Sequence, residues 1–285
     1  MVFNYKITSN IKLIDYLDSY FLSKSKIYTL FLEKKILVND HPCKREDMLK
    51  KNDVITIIDD GILDFRPQKY KLDIIYEDDY LLIINKPCSV IVHPDNKDGL
   101  NTLCNYVAYY YKENGIDIPV RYAHRLDTDT TGIIVFCKDM LSMSYMNHYI
   151  STHEVKRGYL ALIEGQMGKK EGTINLPIGR DRHVNGKRRV SPNGNEAITN
   201  YKVLKSYGKY SLVSIFLQTG RTHQIRVHFS HLKHPLLGDI LYGAKDFYID
   251  RVALHSSEII FVHPVTKETM HILCDLPKDM KMLCK

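Results

Sequence analysis

Four segments of the chain carry polar side chains that neither helical nor strand periodicity explains. The first is His124-Arg125-Leu126-Asp127-Thr128-Asp129-Thr130-Thr131-Gly132. It stands just before an apolar run, so a reactive carboxylate there is accessible, and neighbouring threonine hydroxyls can fix its rotamer. The second runs Leu217-Gln218-Thr219-Gly220-Arg221-Thr222-His223-Gln224-Ile225-Arg226-Val227-His228. A strand ending at Thr219-Gly220 and a helix starting beside two arginines suit an anionic group. The third is Lys86-Pro87 followed by Val92-His93-Pro94, a rigid turn. The fourth is His234-Pro235-Leu236-Leu237-Gly238-Asp239-Ile240-Leu241-Tyr242-Gly243, a turn-rich loop. Each taken singly is also ordinary turn or cap chemistry.

These segments need elements to hold them. Residues 11–58 read as a compact unit: helices at 11–22 and 27–33, strands at 36–38 and 53–58. Residues 59–69 read as a linker, with Gly61, Pro67 and mixed charge. From 70 to 285 the pattern changes. Strands are predicted at 72–76, 80–85, 132–138, 159–164, 197–204 and 210–218. Helices are predicted at 100–112, 141–150 and 222–232, the last capped by the Thr222 hydroxyl. Strands without regular alternation with helices indicate an α+β fold.

Composition sets limits on function. The chain has 285 residues, 44% hydrophobic and 26% charged, with 40 Lys and Arg against 33 Asp and Glu for a net charge of +7. That length supports two units without a disulfide or metal staple, and the charge suits a polyanionic partner. Cys43, Cys88, Cys104, Cys137, Cys274 and Cys284 form no C-x-x-C pair, as expected of buried, reduced thiols. The N-terminus lacks a signal-peptide run, and no segment approaches the roughly 18 apolar residues of a membrane span. A soluble, cytoplasmic, monomeric protein is expected.

In combination the motifs resemble the RluA-type pseudouridine synthases. HRLDTDTTG is similar to that family's signature HRLDxxTSG, with Thr131 in place of the usual serine. The order of the other segments also resembles the family: KP and VHP, then Lys156-Arg157-Gly158-Tyr159, TGRTHQIRVH, HPLLGDILYG, Leu254-His255 and His263-Pro264. The resemblance spans residues 70–280. Residues 1–58 are similar to the small S4 RNA-binding module that many members carry.

The resemblance implies a pseudouridine synthase fold, an α+β domain around a mostly antiparallel mixed sheet, with an S4-like α+β module in front of it. It implies that Asp127 is the catalytic carboxylate, acting at the sugar of a uridine whose glycosidic bond is broken and remade at C5. It implies that Arg226 pairs with Asp127, and that Tyr159 stacks on the target base and is a candidate for removing the C5 proton. Arg125 would fill the stack in place of the flipped nucleotide. Arg221 and His223 would contact RNA within the second motif. Arg180, Arg182, Lys187, Arg188 and Arg189 would hold phosphates, as would Lys24, Lys26, Lys34 and Lys35 in the N-terminal unit. The implied partner is structured RNA, ribosomal before transfer RNA, and no cofactor or metal is implied.

Rival readings are less well supported. Asp127-Thr128-Asp129-Thr130-Thr131 fits the D-x-D-x-T motif of magnesium-dependent phosphatases, but no apolar strand precedes it and Asp239 lacks the second acid of a metal pair. His228, His231 and His234 drift around a helix that Pro235 ends, which is poor zinc spacing. A non-catalytic RNA-binding or ribosome-assembly protein would not need Asp127, Tyr159 and Arg226 together.

Overall fold

The computed structural model describes residues 1–94, 99–245 and 248–285. Its main feature is one mixed sheet, ordered Glu171–Asn175, Ile198–Ser206, Tyr210–Leu217, Lys156–Glu164, Leu254–Val262, Thr131–Cys137, Leu81–Lys86 and Ile74–Glu77. Thr269–Leu273 adds to Leu254–Val262, and Arg121–Tyr122 adds to Thr131–Cys137. Every pairing is antiparallel except one, where Thr131 and Gly132 run parallel to His255 and Ser256. This short parallel seam joins two antiparallel halves, and the first motif leads directly into it.

Thr131–Cys137 and its antiparallel neighbour Leu81–Lys86 read as apolar runs because both of their faces are buried. Leu82, Ile84, Ile134 and Phe136 face the helix Leu103–Glu113, which contributes Leu103, Val107, Ala108 and Tyr111. Leu81, Ile83, Ile133 and Val135 pack on the other side with Met146 of the helix Met140–Ser151. Thr102 and Asn105 form a capping box for the first helix, and Asp139 caps the second.

Gly132 explains why the seam closes. Its φ is +106°, and a Cβ there would lie 2.1 Å from the carbonyl oxygen of Ser256. Only glycine permits that approach. Next to it, Thr131 Oγ1 lies 2.8 Å from His255 Nδ1 in a buried bond. The threonine that replaces the usual serine of the motif therefore keeps a hydroxyl in place across the seam.

Near the N-terminus a second sheet is ordered Val2–Lys6, Val54–Ile58, Ile36–Val38 and His41–Pro42, with helices Leu13–Asp18 and Lys24–Leu32 against it. The strand Val2–Lys6 had no counterpart in the sequence reading. Its alternation, with Phe3 and Tyr5 buried, was there to be seen. This unit is docked on the larger one. Tyr5 Oη donates to buried Asp139, Phe21 stacks on His148, and Lys267 Nζ sits over the rings of Tyr20 and Tyr145. Residues 59–69 contain no helix or strand, yet they are tied down. Asp59 pairs with Arg121 at 2.6 Å, Asp64 accepts from Val120 N, and the Arg66 carbonyl accepts from Asn105.

Among the described residues, no helix is long and apolar enough to cross a membrane. All six cysteines are free. Only Cys104 and Cys137 are buried, so the expectation of buried thiols fails for the other four, which are half-buried near the surface.

Candidate active site

Asp127 lies within the irregular loop between Arg121–Tyr122 and Thr131–Cys137, and the position of that loop is set from two sides. From one side, Lys86 projects from the end of Leu81–Lys86 and is fully buried. Its Nζ donates to the carbonyls of Pro87 at 2.9 Å, Val90 at 2.6 Å and Thr128 at 2.8 Å. All three ammonium protons are thereby used to staple the Lys86-Pro87 turn to the first motif. Burial still opposes the charge and lowers the Lys86 pKa to about 8. From the other side, Thr130 N closes a turn on the Asp127 carbonyl at 3.1 Å, and Arg251 Nη1 reaches the Asp129 carbonyl at 3.5 Å.

The carboxylate itself stands in a cleft of about 680 Å³, lined by Arg121, Tyr122, Arg125, Tyr159, Arg221 and Arg226 among others. A second cavity of about 500 Å³ opens on its other side, lined by Val92, His93, Thr128, Asp129 and Leu241. Arg125 and Asp127 line both. Arg226 Nη1 lies 3.5 Å from Asp127 Oδ2, and His223 Nε2 lies 3.9 Å from it. Neither length is a hydrogen bond. The carboxylate has positive charge beside it but no hydrogen bond to a described residue, so its lone pairs stay available for a substrate.

Arg226 faces Asp127, with Nη1 3.5 Å from its Oδ2, and has a second, tighter partner that the sequence did not single out, Asp239. Nε and Nη2 donate to the two Asp239 oxygens at 2.8 Å each, in a buried bidentate pair. Burial opposes the guanidinium charge; the bonds and charge of Asp239, with Asp127 adding to them, outweigh it and raise the Arg226 pKa. The sequence reading placed Asp239 only in a turn-rich loop. The available signal was Gly238, whose φ is +72° and whose missing Cβ would meet the Arg251 carbonyl at 2.0 Å. That close packing drives Asp239 inward to 1% exposure. Tyr242, three residues on, places its ring 5.0 Å from the Arg226 guanidinium.

The helix after the second motif starts later than expected and without a threonine cap. It spans Gln224–His231, with His223 at its N-cap in left-handed conformation, φ 57°. No side chain caps it; the Gln224 side chain instead closes the preceding turn, its Oε1 accepting from Arg221 N and from Thr219 Oγ1, both at 2.9 Å. The left-handed turn aims His223 at the site. Its Nδ1 lies 2.9 Å from Tyr242 Oη, which accepts from Arg188 N at 2.9 Å. The arrangement that uses every group has Tyr242 donating to Nδ1, which leaves the His223 proton on Nε2, facing Asp127. Burial lowers the His223 pKa, so the ring is neutral at neutral pH.

Tyr159 comes from Lys156–Glu164 and is buried in the wall of the cleft. Burial, with Asp127 adding to it against the opposing charge of Arg157, raises its pKa and keeps the phenol protonated. His124 is structural: its Nε2 accepts from Val135 N at 3.3 Å, and burial lowers its pKa to about 3. Arg125 is exposed, with Nη1 3.2 Å from His93 Nε2, whose ring stacks on Tyr122.

The fold therefore brings Asp127, Tyr159, Arg226, Arg125, Arg221 and His223 around one cleft. The hairpin of Ile178–Arg180 with Arg188–Val190 joins them through Tyr242. It carries Arg180, Arg182 and Arg189 exposed, and Lys187 sits 5.4 Å from the Tyr242 ring. Lys24, Lys26 and Lys34 are exposed on the N-terminal unit and do not line the cleft. Lys35 is not free for a phosphate, because Glu33 and Asp60 hold it. His228 uses both ring nitrogens on Thr199 and the Leu176 carbonyl, and His234 bonds the Glu164 carbonyl, so these two of the three clustered histidines serve the fold.

Comparison with known proteins agrees with this architecture. Residues 80–231 match the family model for RNA pseudouridylate synthases. The uncharacterized RNA pseudouridine synthase YhcT of Bacillus subtilis is 42% identical over 267 residues, covering 92% of this chain and 88% of that protein. Ribosomal large subunit pseudouridine synthase D of Salmonella typhimurium is 36% identical over 279 residues, covering 90% of this chain and 84% of that one. Among solved structures, human RNA pseudouridylate synthase domain containing 4 superposes with a TM-score of 0.62 at 27% identity, covering 72% of this chain and 89% of its own. The chain belongs to the RNA pseudouridylate synthase family.

Proposed function

We propose that this protein converts specific uridines of structured RNA to pseudouridine, with ribosomal RNA as its substrate and Asp127 as the catalytic carboxylate. The observation that carries the reading is an unmasked carboxylate, flanked by an arginine that Asp239 holds and facing a cleft walled by a protonated tyrosine. The reaction breaks the bond from C1′ to N1, turns the uracil and joins C5 to C1′. The C5 proton leaves and N1 gains one, so the balance needs neither redox cofactor nor water.

Asp127 acts at the ribose, as nucleophile at C1′ or as base toward the 2′ hydrogen. Either role needs an ionised carboxylate with free lone pairs. Arg226 and the Nε2 proton of His223 stand 3.5 and 3.9 Å from the carboxylate and leave its lone pairs unoccupied. Tyr159 offers a stacking face for the detached base. Burial keeps its phenol protonated before the base enters, and the same phenol is the candidate group at the C5 proton. A uridine in a stem must leave the stack to reach Asp127, at a cost of a few kcal/mol. Arg125, which is exposed and lines both cavities, would stack in the gap.

The basic hairpin at 178–190 and Lys24 and Lys26 of an S4-like module at residues 1–58 would hold flanking phosphates. Ribosomal RNA is favoured over transfer RNA by that module and by the relative named for the large ribosomal subunit. A monomer in the cytoplasm suits this work. Mapping pseudouridines in ribosomal and transfer RNA, with and without the gene, tests the proposal. Loss of one or a few ribosomal sites, restored by the wild-type gene and not by Asp127→Asn, is expected. An unchanged ribosomal map would overturn the choice of substrate.

A further inference from the structure

Five arginines line the cleft, and four of them are held. Arg121 bonds Asp59 and the Lys138 carbonyl, Arg125 lies against His93, Arg221 bonds the Glu196 carbonyl, and Arg226 is clamped by Asp239. Arg157 is different. Among the described residues no hydrogen bond or ion pair engages its side chain, and its Nε is buried without a partner. Its Nη nitrogens are not sealed in the same way, and the side chain lines the cleft with Met143, Asn147 and Tyr159. The guanidinium lies along the backbone at Gly220, where a Cβ would come within 2.8 Å of Nη1. The missing side chain at 220 makes room for this cation.

Arg157 is also in register with the base platform. Against Tyr210–Leu217, Arg157 pairs with Leu217 and Tyr159 with Ile215, so the two share a face of their strand. They stand about 6.8 Å apart along it, which is within the reach of one nucleotide. A uracil is neutral and does not answer a whole unpaired charge. A phosphodiester does, and a guanidinium edge matches two of its oxygens.

We propose that Arg157 binds the backbone phosphate adjoining the nucleotide that enters the cleft. The inference rests on the reading that this cleft acts on a uridine of RNA. Arg157 would fix how far the strand is drawn in, and so which uridine reaches Asp127.

The test uses a synthetic RNA hairpin spanning a uridine that the wild-type enzyme converts. In two further hairpins the linkage on the 5′ or the 3′ side of that uridine is a neutral methylphosphonate. Single-turnover conversion at subsaturating enzyme is measured for wild type, Arg157→Gln and Arg157→Lys. Arg157→Gln should lose about 10- to 100-fold on the unmodified hairpin, the size expected for a hydrogen-bonded charge. Arg157→Lys should lose less. One neutral linkage should slow the wild type by a similar factor, and Arg157→Gln should lose nothing further on that hairpin. If Arg157→Gln misfolds, the same coupling is read from Arg157→Lys. Equal losses on all three hairpins, or no loss on any, would overturn the inference while leaving the function intact. Failure of the wild type to convert any uridine would instead overturn the reading beneath it.

Discussion

Asp239→Asn changes one atom in a residue that never touches the cleft, yet it should disable the site. Asp239 is 1% exposed and accepts two charge-assisted bonds from Arg226 at 2.8 Å. An asparagine keeps the volume but turns one acceptor into a donor facing a donor. Breaking a buried pair from one side costs about 3–5 kcal/mol. Asp127, 3.5 Å from Nη1, is the nearest group able to take over the freed charge. That rescue lowers the stability loss to about 2–3 kcal/mol, but it draws Arg226 onto the carboxylate and occupies the lone pairs the reaction needs. The rate should fall by about 10²–10³, the usual loss for one preorganised electrostatic partner. Urea unfolding gives the first number, and tritium release from RNA labelled at uridine C5 gives the second. Full activity in a variant destabilised as expected would refute the claim that Asp239, rather than Asp127, anchors Arg226.

Two further perturbations test the frame around the site. Gly132→Ala puts a Cβ 2.1 Å from a backbone oxygen at a φ of +106°, so it should cost on the order of 2–6 kcal/mol; wild-type unfolding behaviour would show that the parallel seam does not depend on that glycine. The buried histidines should make the protein acid-sensitive. His124 and His255 are held neutral, mainly by burial, with pKa values lowered to about 3 and about 4. The unfolded chain then binds protons that the folded chain does not, so stability falls as pH drops below about 6.5, by up to about 1.4 kcal/mol per pH unit for each histidine. The contribution of His255 is complete near pH 4 and that of His124 near pH 3. Urea titrations between pH 6 and 4.5 should show His124→Gln removing close to one proton from the slope, and an unchanged slope would contradict a neutral His124.

The sequence made some of this legible and hid the rest for physical reasons. Two neighbouring strands were visible because two buried faces leave apolar runs at 81–86 and 131–137, whereas Leu254–Val262, on the far side of the seam, was not expected as a strand. The pairing across the seam was not visible, since a two-residue parallel contact between positions 131–132 and 255–256 leaves no local pattern. Asp127 stood out because HRLDTDTTG resembles the family signature. Asp239 did not, because its inward turn depends on the distant Arg251 carbonyl meeting Gly238. The helix cap was misread for a similar reason. Thr222 is the better cap by residue type, but the Gln224 side chain closes the turn and His223 takes the left-handed position. Lys86 looked like an ordinary residue before a proline, because one of its three carbonyl acceptors, Thr128, lies 42 residues away in sequence, while Pro87 and Val90 lie one and four residues away.

The central claim is that the Asp127 carboxylate does the chemistry. Pseudouridine formation by Asp127→Asn, measured beside Asp129→Asn and wild type on the same RNA, tests it most directly. The substitution keeps shape and removes charge, and no hydrogen bond to a described side chain is lost with it. The account predicts a fall of at least about a thousandfold with RNA affinity little changed, and only a mild effect at Asp129. An Asp127→Asn enzyme that still turned over near the wild-type rate would contradict it.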